Sequence, residues 1–458
     1  MYIEQLYTNC LAEAAYYIES EGEAAIIDPL RETEPYIELA KNRGARIKYV
    51  FETHFHADFV SGHIDLARKV NASIIFGPEA NTNYDVYHAK DDEEFILGKI
   101  RIKVLHTPGH TPESSCYLLI DEERKAHAVF TGDTLFVGDV GRPDLLDGVL
   151  SQEELASLMY DSLNNKIKTL PDSVIVYPAH GPGSSCGKNI GKETFSTIGV
   201  QKKMNYALKD MSRDEFIEKV TEGILPPPQY FFEDARINKM GYEPIEAVIK
   251  KNNSSLSVPG FKKMVSEGAL ILDTRPADDF ENGYIPGAIN IGLNGQFAIW
   301  VGTLIDIHRD IVLITEGGKE HESILRLARV GYEKVLGFLE GGIQTWHSKL
   351  ETVKSISAEE MKTQVGNGIE VLDVRKPGEW AAGHVKDATF LPLADFPEVF
   401  SPLNKNATYI VHCGGGYRSM TAISMMKKQG FKNLINVTGG FGAMEQVGLE
   451  IVRDEVTV

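Results

Sequence analysis

The chain is poor in cysteine. Its 458 residues hold four, Cys10, Cys116, Cys186 and Cys413, too few and too scattered for a disulfide framework. They fit a reducing compartment and leave thiols available for chemistry. No apolar run approaches the roughly 20 residues that span a bilayer, so no membrane helix is expected. The start, MYIEQLYTNCLAEAAYY, lacks a basic segment followed by an apolar core, which argues against a secretory signal and for the cytoplasm. Basic charge is also short. With 47 Lys and Arg against 65 Asp and Glu, the formal charge is −18, which argues against nucleic acid or an anionic membrane as a partner.

What is present is ordinary in bulk and specific in detail. Hydrophobic residues make up 43% and charged residues 24%, a usual balance for globular domains, and the length suits two to four of them. A β-rich segment, residues 47–51, runs into Thr53-His54-Phe55-His56-Ala57-Asp58-Phe59. Strand side chains alternate, so a strand ending in His-x-His points both imidazoles one way. A turn with Asp58 and Gly62 then leads to the helical pattern IDLARKV. His110 follows the strand pattern KIRIKVLHT and a Pro-Gly turn, Asp133 follows the apolar run AHAVF, and His180 closes the series in YPAHG. Each stands at a strand end, where loops gather and sites form. Together they predict a metal site. Two imidazoles and a carboxylate with open positions opposite suit non-haem Fe(II), whereas Zn²⁺ prefers a tetrahedral set; the residue types fit either ion.

The segments THFHAD, HTPGHTPESSCYLL, FTGDTLFVGDVGRPDL and YPAHGPGSSCGKN make residues 1–245 resemble the persulfide dioxygenases of the metallo-β-lactamase superfamily. The resemblance implies an αββα sandwich and one Fe(II) per chain, held by His54, His110 and Asp133. It implies that His56, Asp58 and His180 lie near the metal without being usual iron ligands. Phe59 departs from the pattern, which has a histidine there to complete HxHxDH. A binuclear zinc hydrolase uses that histidine for its second ion, so Phe59 argues for a single metal. Arg142, in GDVGRPDL, is a candidate to bind an anionic group of the substrate. Cys186 is a second candidate on the substrate side. Its Gly/Ser-rich loop is expected to leave the thiol accessible and facing the metal, with Lys188 favouring the thiolate. Cys10 and Cys116 are expected to pack.

The second half repeats itself. LILDTRPADDFENGYIPGAINI aligns with EVLDVRKPGEWAAGHVKDATFL, with Asp273, Arg275, Phe280 and Gly283 each 100 residues before Asp373, Arg375, Trp380 and Gly383. Each copy alternates short β-rich runs with helical patterns, which predicts two small doubly wound parallel α/β domains, at 256–350 and 354–458. KKNNSS before them reads as a polar linker, and MSRDEFIEKVTEG as a helix of the first domain. In the second copy the strand pattern ATYIVH enters Cys413-Gly414-Gly415-Gly416-Tyr417-Arg418-Ser419 and then a helix. Three glycines allow the loop to wrap N–H groups around the sulfur. The helix N-terminus and Arg418 add positive potential, which favours a thiolate and a persulfide anion. Both copies resemble rhodanese domains, and the resemblance makes Cys413 the persulfide-bearing nucleophile, with Arg418 beside it. The first copy reads VLITEGGKEHES, with Glu316 nearest the place of Cys413. Without a thiol, it is expected to serve spacing, packing or oligomer contacts.

Three functions follow. The first is an Fe(II) dioxygenase that converts a small-molecule thiol persulfide and O₂ to sulfite and thiol. Cys413 then passes sulfane sulfur to sulfite, giving thiosulfate, in sulfide detoxification. The second is a glyoxalase-II-like zinc thioester hydrolase with accessory rhodanese domains. The third is a sulfur-carrier or sensing scaffold. A homo-oligomer is expected.

Overall fold

Along the strand Glu13–Ser20, Ala14, Tyr16 and Ile18 pack in one core cluster and Ala15 and Tyr17 in another. Alternation with period two has apolar residues on both faces, so this strand must lie between two apolar layers. In the computed structural model, which describes residues 1–145, 150–365, 369–396, 398–400 and 402–453, it is the second strand of a four-layer sandwich. The first sheet runs β1 (Tyr2–Thr8), β2 (Glu13–Ser20), β3 (Glu23–Ile27), β4 (Arg46–Glu52), β5 (Ser73–Phe76), β6 (Tyr87–His88), in that order. The second runs β7 (Glu94–Leu97), β8 (Ile100–His106), β9 (Ser115–Ile120), β10 (Ala126–Gly132), β11 (Ile175–Pro178), β12 (Ser196–Thr197), also in sequence order. Ile27 and Phe51 of one sheet meet Ile102, Val104 and Phe130 of the other in the central core. Helices Glu34–Arg43 and His63–Val70 cover the first sheet through Tyr36, Ala40 and Leu66. Helices Gln152–Ser162 and Arg213–Thr221 cover the second through Met159, Phe216 and Val220. This is the αββα arrangement.

The chain divides into two compact units, Met1–Ala247 with Ala328–Gly331, and Val248–Leu327 with Tyr332–Val458. The second unit holds two five-stranded parallel sheets of one topology. In the first, β13 (Ser255–Leu256), β14 (Leu270–Asp273), β15 (Ile289–Asn290), β16 (Ile311–Ile314) and β17 (Val335–Leu339) take the order β13-β17-β16-β14-β15. The second copy contains β18 (Lys354–Ile356), β19 (Glu370–Asp373), β20 (His384–Val385), β21 (Thr389–Phe390), β22 (Thr408–His412), β23 (Asn433–Val437) and β24 (Ile451–Val452). Its sheet has the order β18-β23-β22-β19-β21, and β20 pairs with β24 apart from it. The central strands of the first copy, β14 and β16, are short and buried throughout, as parallel strands covered on both faces must be.

Two expectations change here. KKNNSS is no linker: helix Ile245–Asn252 takes its first half and Ser255 opens β13. The register also revises the match between the copies. Asp273 pairs with Ile314 and Asp373 with His412, so Thr315, not Glu316, takes the place of Cys413. Among the described residues, no helix is long and apolar enough to cross a membrane.

Candidate metal centre and thiol loop

β4 ends at Glu52, and the next residue is fixed from below. The Thr53 N–H donates to Asp28 Oδ1 (2.7 Å) and its hydroxyl to Asp28 Oδ2 (2.8 Å), while Thr53 Oγ1 lies 2.9 Å from His54 Nδ1. With its proton given to Asp28, that oxygen accepts from Nδ1–H, and the His54 Nε2 lone pair stays free for a metal. Backbone carbonyls do the same for two further histidines. His110 Nδ1 donates to Arg142 O (2.8 Å), and His180 Nδ1 to Ala12 O (3.1 Å). All three Nε2 atoms are buried without a hydrogen-bond partner, as are both oxygens of Asp133. Leaving such groups unmatched costs about 1–3 kcal/mol each. An ion held by the His54 and His110 Nε2 atoms and Asp133 Oδ2 would satisfy those three, so these residues fit a metal.

His54, His110 and Asp133 bring one ligand atom each within 4.8 Å of one another. Asp133 Oδ2 lies 3.4 Å from His110 Nε2 and 3.9 Å from His54 Nε2. Its other oxygen turns away, 3.5 Å from His180 Nε2. There a second group gathers: Asp58, His180 and Cys186, again within 4.8 Å. Gly141 closes the first group, since a Cβ on it would come 2.2 Å from Asp133 O and 2.9 Å from His110 Nδ1. Burial, and then the neighbouring histidines, hold the His54 pKa well below its ordinary value, so this imidazole is neutral and ready to ligate.

His56 faces elsewhere. Its Nε2 lies 3.1 Å from Asp28 and 3.7 Å from Glu52. Burial opposes its charge, but Asp28, Glu52 and Asp58 outweigh that and raise its pKa to about 10. His56 is therefore an imidazolium clamped by carboxylates beneath the ligand loop. Phe59 is fully buried, its ring 4.3 Å from that of His56.

Both substrate-side candidates change character. Arg142 is spent on its own loop: it pairs with Asp144 (2.6 and 2.8 Å) and donates to Ser185 O and Leu225 O. It braces the segment whose carbonyl orients His110, with all three guanidinium nitrogens donating within the domain. Cys186 does face the Asp58–His180 side of the pocket, but it is 1% exposed. Burial, then Asp58 and Asp133, push its thiol pKa well up. Lys188 does not help, because its ammonium donates to Lys219 O and Glu222 O. One residue that sequence patterns do not reveal is Asn238, on helix Tyr230–Met240. Its side chain donates to His56 O and Phe59 O (2.8 Å each) and accepts from Ser61 N–H (2.9 Å), clamping the ligand loop.

In the second unit, β22 delivers Cys413 into a tight loop before helix Tyr417–Lys428. Gly416 N–H donates to Cys413 Sγ (3.1 Å), and Ser419 Oγ lies 3.6 Å from the sulfur, oriented by Asn436 Oδ1 (2.7 Å). Gly440 supports the loop; a Cβ there would come 2.4 Å from Cys413 O. Arg418 does not stand free beside the sulfur. Its guanidinium grips Glu379 with both terminal nitrogens, one at 2.7 Å. Against burial, that contact holds the Glu379 pKa below its usual value. His412, one residue before the thiol, is buried and lowered by that burial to a pKa of about 4. Tyr417 donates its hydroxyl to Gly292 O (2.7 Å) in the first copy.

The family model described as the metallo-beta-lactamase superfamily matches residues 8–180, and that of the rhodanese-like domain matches 257–349 and 357–446. Over 210 residues, 45% of this chain and 74% of the relative, the chain is 31% identical to the human mitochondrial persulfide dioxygenase ETHE1. Over 186 residues, 40% of this chain and 68% of the relative, it is 33% identical to the probable hydroxyacylglutathione hydrolase glo2 of Schizosaccharomyces pombe. A solved metallo-beta-lactamase from Staphylococcus aureus subsp. aureus COL superposes with a TM-score of 0.66 at 33% identity, over 74% of this chain and 98% of that one. The chain belongs to the metallo-β-lactamase superfamily and carries two rhodanese-like domains after its metal-site fold.

Proposed function

We propose that the chain is a persulfide dioxygenase joined to a sulfurtransferase, with functional modules at 1–245, 256–350 and 354–458. One Fe(II), held by His54, His110 and Asp133, supplies the redox chemistry with O₂. The overall change is RSSH + O₂ + H₂O → RSH + HSO₃⁻ + H⁺. Cys413 then carries sulfane sulfur to sulfite, forming thiosulfate, and the pair of reactions detoxifies sulfide. The observation that carries this reading is the first donor group: two imidazole lone pairs and a carboxylate, buried and unmatched, the set that leaves open positions for co-ligands. Thr53 and the Arg142 carbonyl hold the two imidazoles in the ligating tautomer. His54, His110 and Asp133 are themselves buried, which keeps bulk water from the donor set. Gly416 N–H donates to Cys413 Sγ, and Ser419 Oγ accepts from the thiol, which supports a thiol held for chemistry.

One observation favours a second reading. Cys186 stands with Asp58 and His180 on the far side of Asp133, so Phe59 does not by itself empty a second donor group. A soft thiolate, an imidazole and a carboxylate suit Zn²⁺; with His54, His110 and Asp133 holding one ion and Asp58, His180 and Cys186 a second, the pair would supply the chemistry of thioester hydrolysis. Metal analysis of anaerobically purified protein, together with O₂ uptake on glutathione persulfide, separates the readings. About one iron per chain with O₂ consumption and sulfite release is expected. Two zinc ions per chain, thioesterase activity and no O₂ uptake would establish the hydrolase instead.

A further inference from the structure

A cysteine that passes sulfur on becomes a thiolate as it does so, and that charge needs a donor already aimed at it. Gly416 N–H is such a donor, 3.1 Å from Cys413 Sγ. The glycines do little to hold it there. Gly416 has φ +103°, in the left-handed region, and a Cβ built on Gly415 or Gly416 would meet nothing within 4 Å. The next three residues supply the anchors. Arg418 grips Glu379, and Ser419 is held by Asn436 (2.7 Å), both within the same copy. Tyr417, which directly follows the donor, is anchored elsewhere. Its hydroxyl donates to Gly292 O (2.7 Å) in the copy without a thiol.

That copy is shaped to receive it. A Cβ on Gly295 would meet the Tyr417 ring first, at 2.5 Å from Cε2, 2.6 Å from Cζ and 2.9 Å from Cδ2. Gly295 does not have a positive φ, so it is the ring and not the backbone that requires the missing side chain. The receiving segment is fixed from its own side. Ile291 N–H donates to Asp273 O and Leu293 N–H to Thr274 O (3.0 Å each), and Arg326 donates to Leu293 O (2.6 Å). A second contact repeats the docking along helix Tyr417–Lys428: Asn290 N–H donates to Ser424 Oγ (3.0 Å). Positions seven apart share one helix face, so the helix meets the thiol-less copy along one stripe that begins beside the sulfur donor.

We propose that Tyr417 is a positioning residue of the sulfur-transfer site, and that the thiol-less copy is the platform on which it sets the thiol loop. The inference rests on the sulfurtransferase half of the proposed function. In the step it serves, the sulfur lone pair of sulfite attacks the outer sulfur on Cys413. The S–S bond breaks, its electron pair stays on Sγ, and thiosulfate leaves: Cys413–S–S⁻ + SO₃²⁻ → Cys413–S⁻ + S₂O₃²⁻. Charge balances and no oxidant is consumed. The charge left on Sγ is the one that Gly416 N–H meets. Tyr417 acts through Gly416, by keeping that donor in place before the charge develops, so its effect belongs to the transfer step and not to the binding of sulfite.

The test uses the full-length protein, loaded anaerobically with glutathione persulfide so that no O₂ chemistry intervenes. Single-turnover thiosulfate formation is followed against sulfite concentration, and the loading of Cys413 is counted by peptide mass spectrometry. Rates per loaded Cys413 do not depend on how much of a variant folds. Tyr417→Phe keeps the ring and loses the hydrogen bond. Its limiting rate is expected to fall about fivefold, as one hydrogen bond ceases to favour the competent loop, with half-saturation by sulfite unchanged. Gly295→Ala, made in the other copy, displaces the ring and should cost at least as much in the parent. It should cost nothing further in Tyr417→Ala, where the ring it strikes is gone. A limiting rate in Tyr417→Phe equal to the parent's, or a loss that comes only through half-saturation by sulfite, overturns the inference. So does an equal loss from Gly295→Ala with and without the Tyr417 ring. Each of these leaves sulfur transfer by Cys413 standing. A parent protein that passes no sulfur to sulfite overturns both.

Discussion

A metal-binding imidazole needs one nitrogen held so that the other stays free, and three histidines here meet that need, one through its chain neighbour and two through partners distant in sequence. His54 uses Thr53 and Asp28, His110 the carbonyl of Arg142, and His180 the carbonyl of Ala12. The partners of His110 and His180 carry no spacing signal, because backbone carbonyls are supplied by every residue type. Asn238 belongs to the same support, nearly two hundred positions from the loop it clamps. Asn238→Ala leaves two buried carbonyls and one N–H without their partner. The expected result is a destabilisation of at least ~2 kcal/mol and metal affinity about 10–100-fold weaker. Chelator competition and denaturant unfolding measure the two. Wild-type affinity in Asn238→Ala would mean that the loop holds its shape without the clamp.

At the scale of elements, the repeated strand-loop-helix unit makes one pair of positions directly comparable. His412 and Ile314 end equivalent strands, paired with Asp373 and Asp273. His412 has a folded pKa of about 4 against an ordinary 6.5, set by burial, with Asp373 and Arg375 acting in opposite directions. As pH falls below about 6.5, the unfolded chain takes a proton that the folded chain refuses until about pH 4. His412 therefore costs no stability above about 6.5 and progressively more down to 4, about 2 kcal/mol at pH 5. His412→Ile should flatten that part of the pH dependence. All three tryptophans, Trp300, Trp346 and Trp380, fall in this unit, so their fluorescence during urea unfolding at pH 7 and pH 5 reads it out. An identical slope in parent and variant would place the titration elsewhere. The sequence pattern showed the repeat well, through fixed landmarks 100 residues apart, and apolar strand ends marked His54, His110 and Asp133 in the first unit and Cys413 in the second. Register was less visible. Thr315 rather than Glu316 faces the place of Cys413, because strand pairing sets equivalence and a loop insertion blurs it in one dimension. The roles of Arg142 and Cys186 were hidden for a related reason. A guanidinium or thiol beside a site looks the same in sequence whether it faces substrate or its own loop, and only burial and partners tell them apart.

For the whole molecule, the question is whether one chain runs two chemistries. The metal donors all belong to Met1–Ala247 and the thiol loop to the second unit, so each function should be removable alone. His110→Ala takes a lone pair from the metal set and should abolish O₂ uptake, yet chains loaded with sulfane sulfur should still convert added sulfite to thiosulfate. Cys413→Ser should keep O₂ uptake and let sulfite accumulate. Joining the modules matters because a tether replaces the bulk concentration of a released intermediate by a local one, in the millimolar range for short connections. The parent should therefore form thiosulfate from persulfide and O₂ without a lag. An equimolar mixture of the two variants should form it only after sulfite has built up in solution. Oxygen-electrode traces with timed thiosulfate assays follow both. If Cys413→Ser stopped oxygen uptake as completely as loss of the metal does, the two sites would not be separate. If the mixture matched the parent from the first seconds, sulfite would be passing freely through solution and the fusion would bring no kinetic gain.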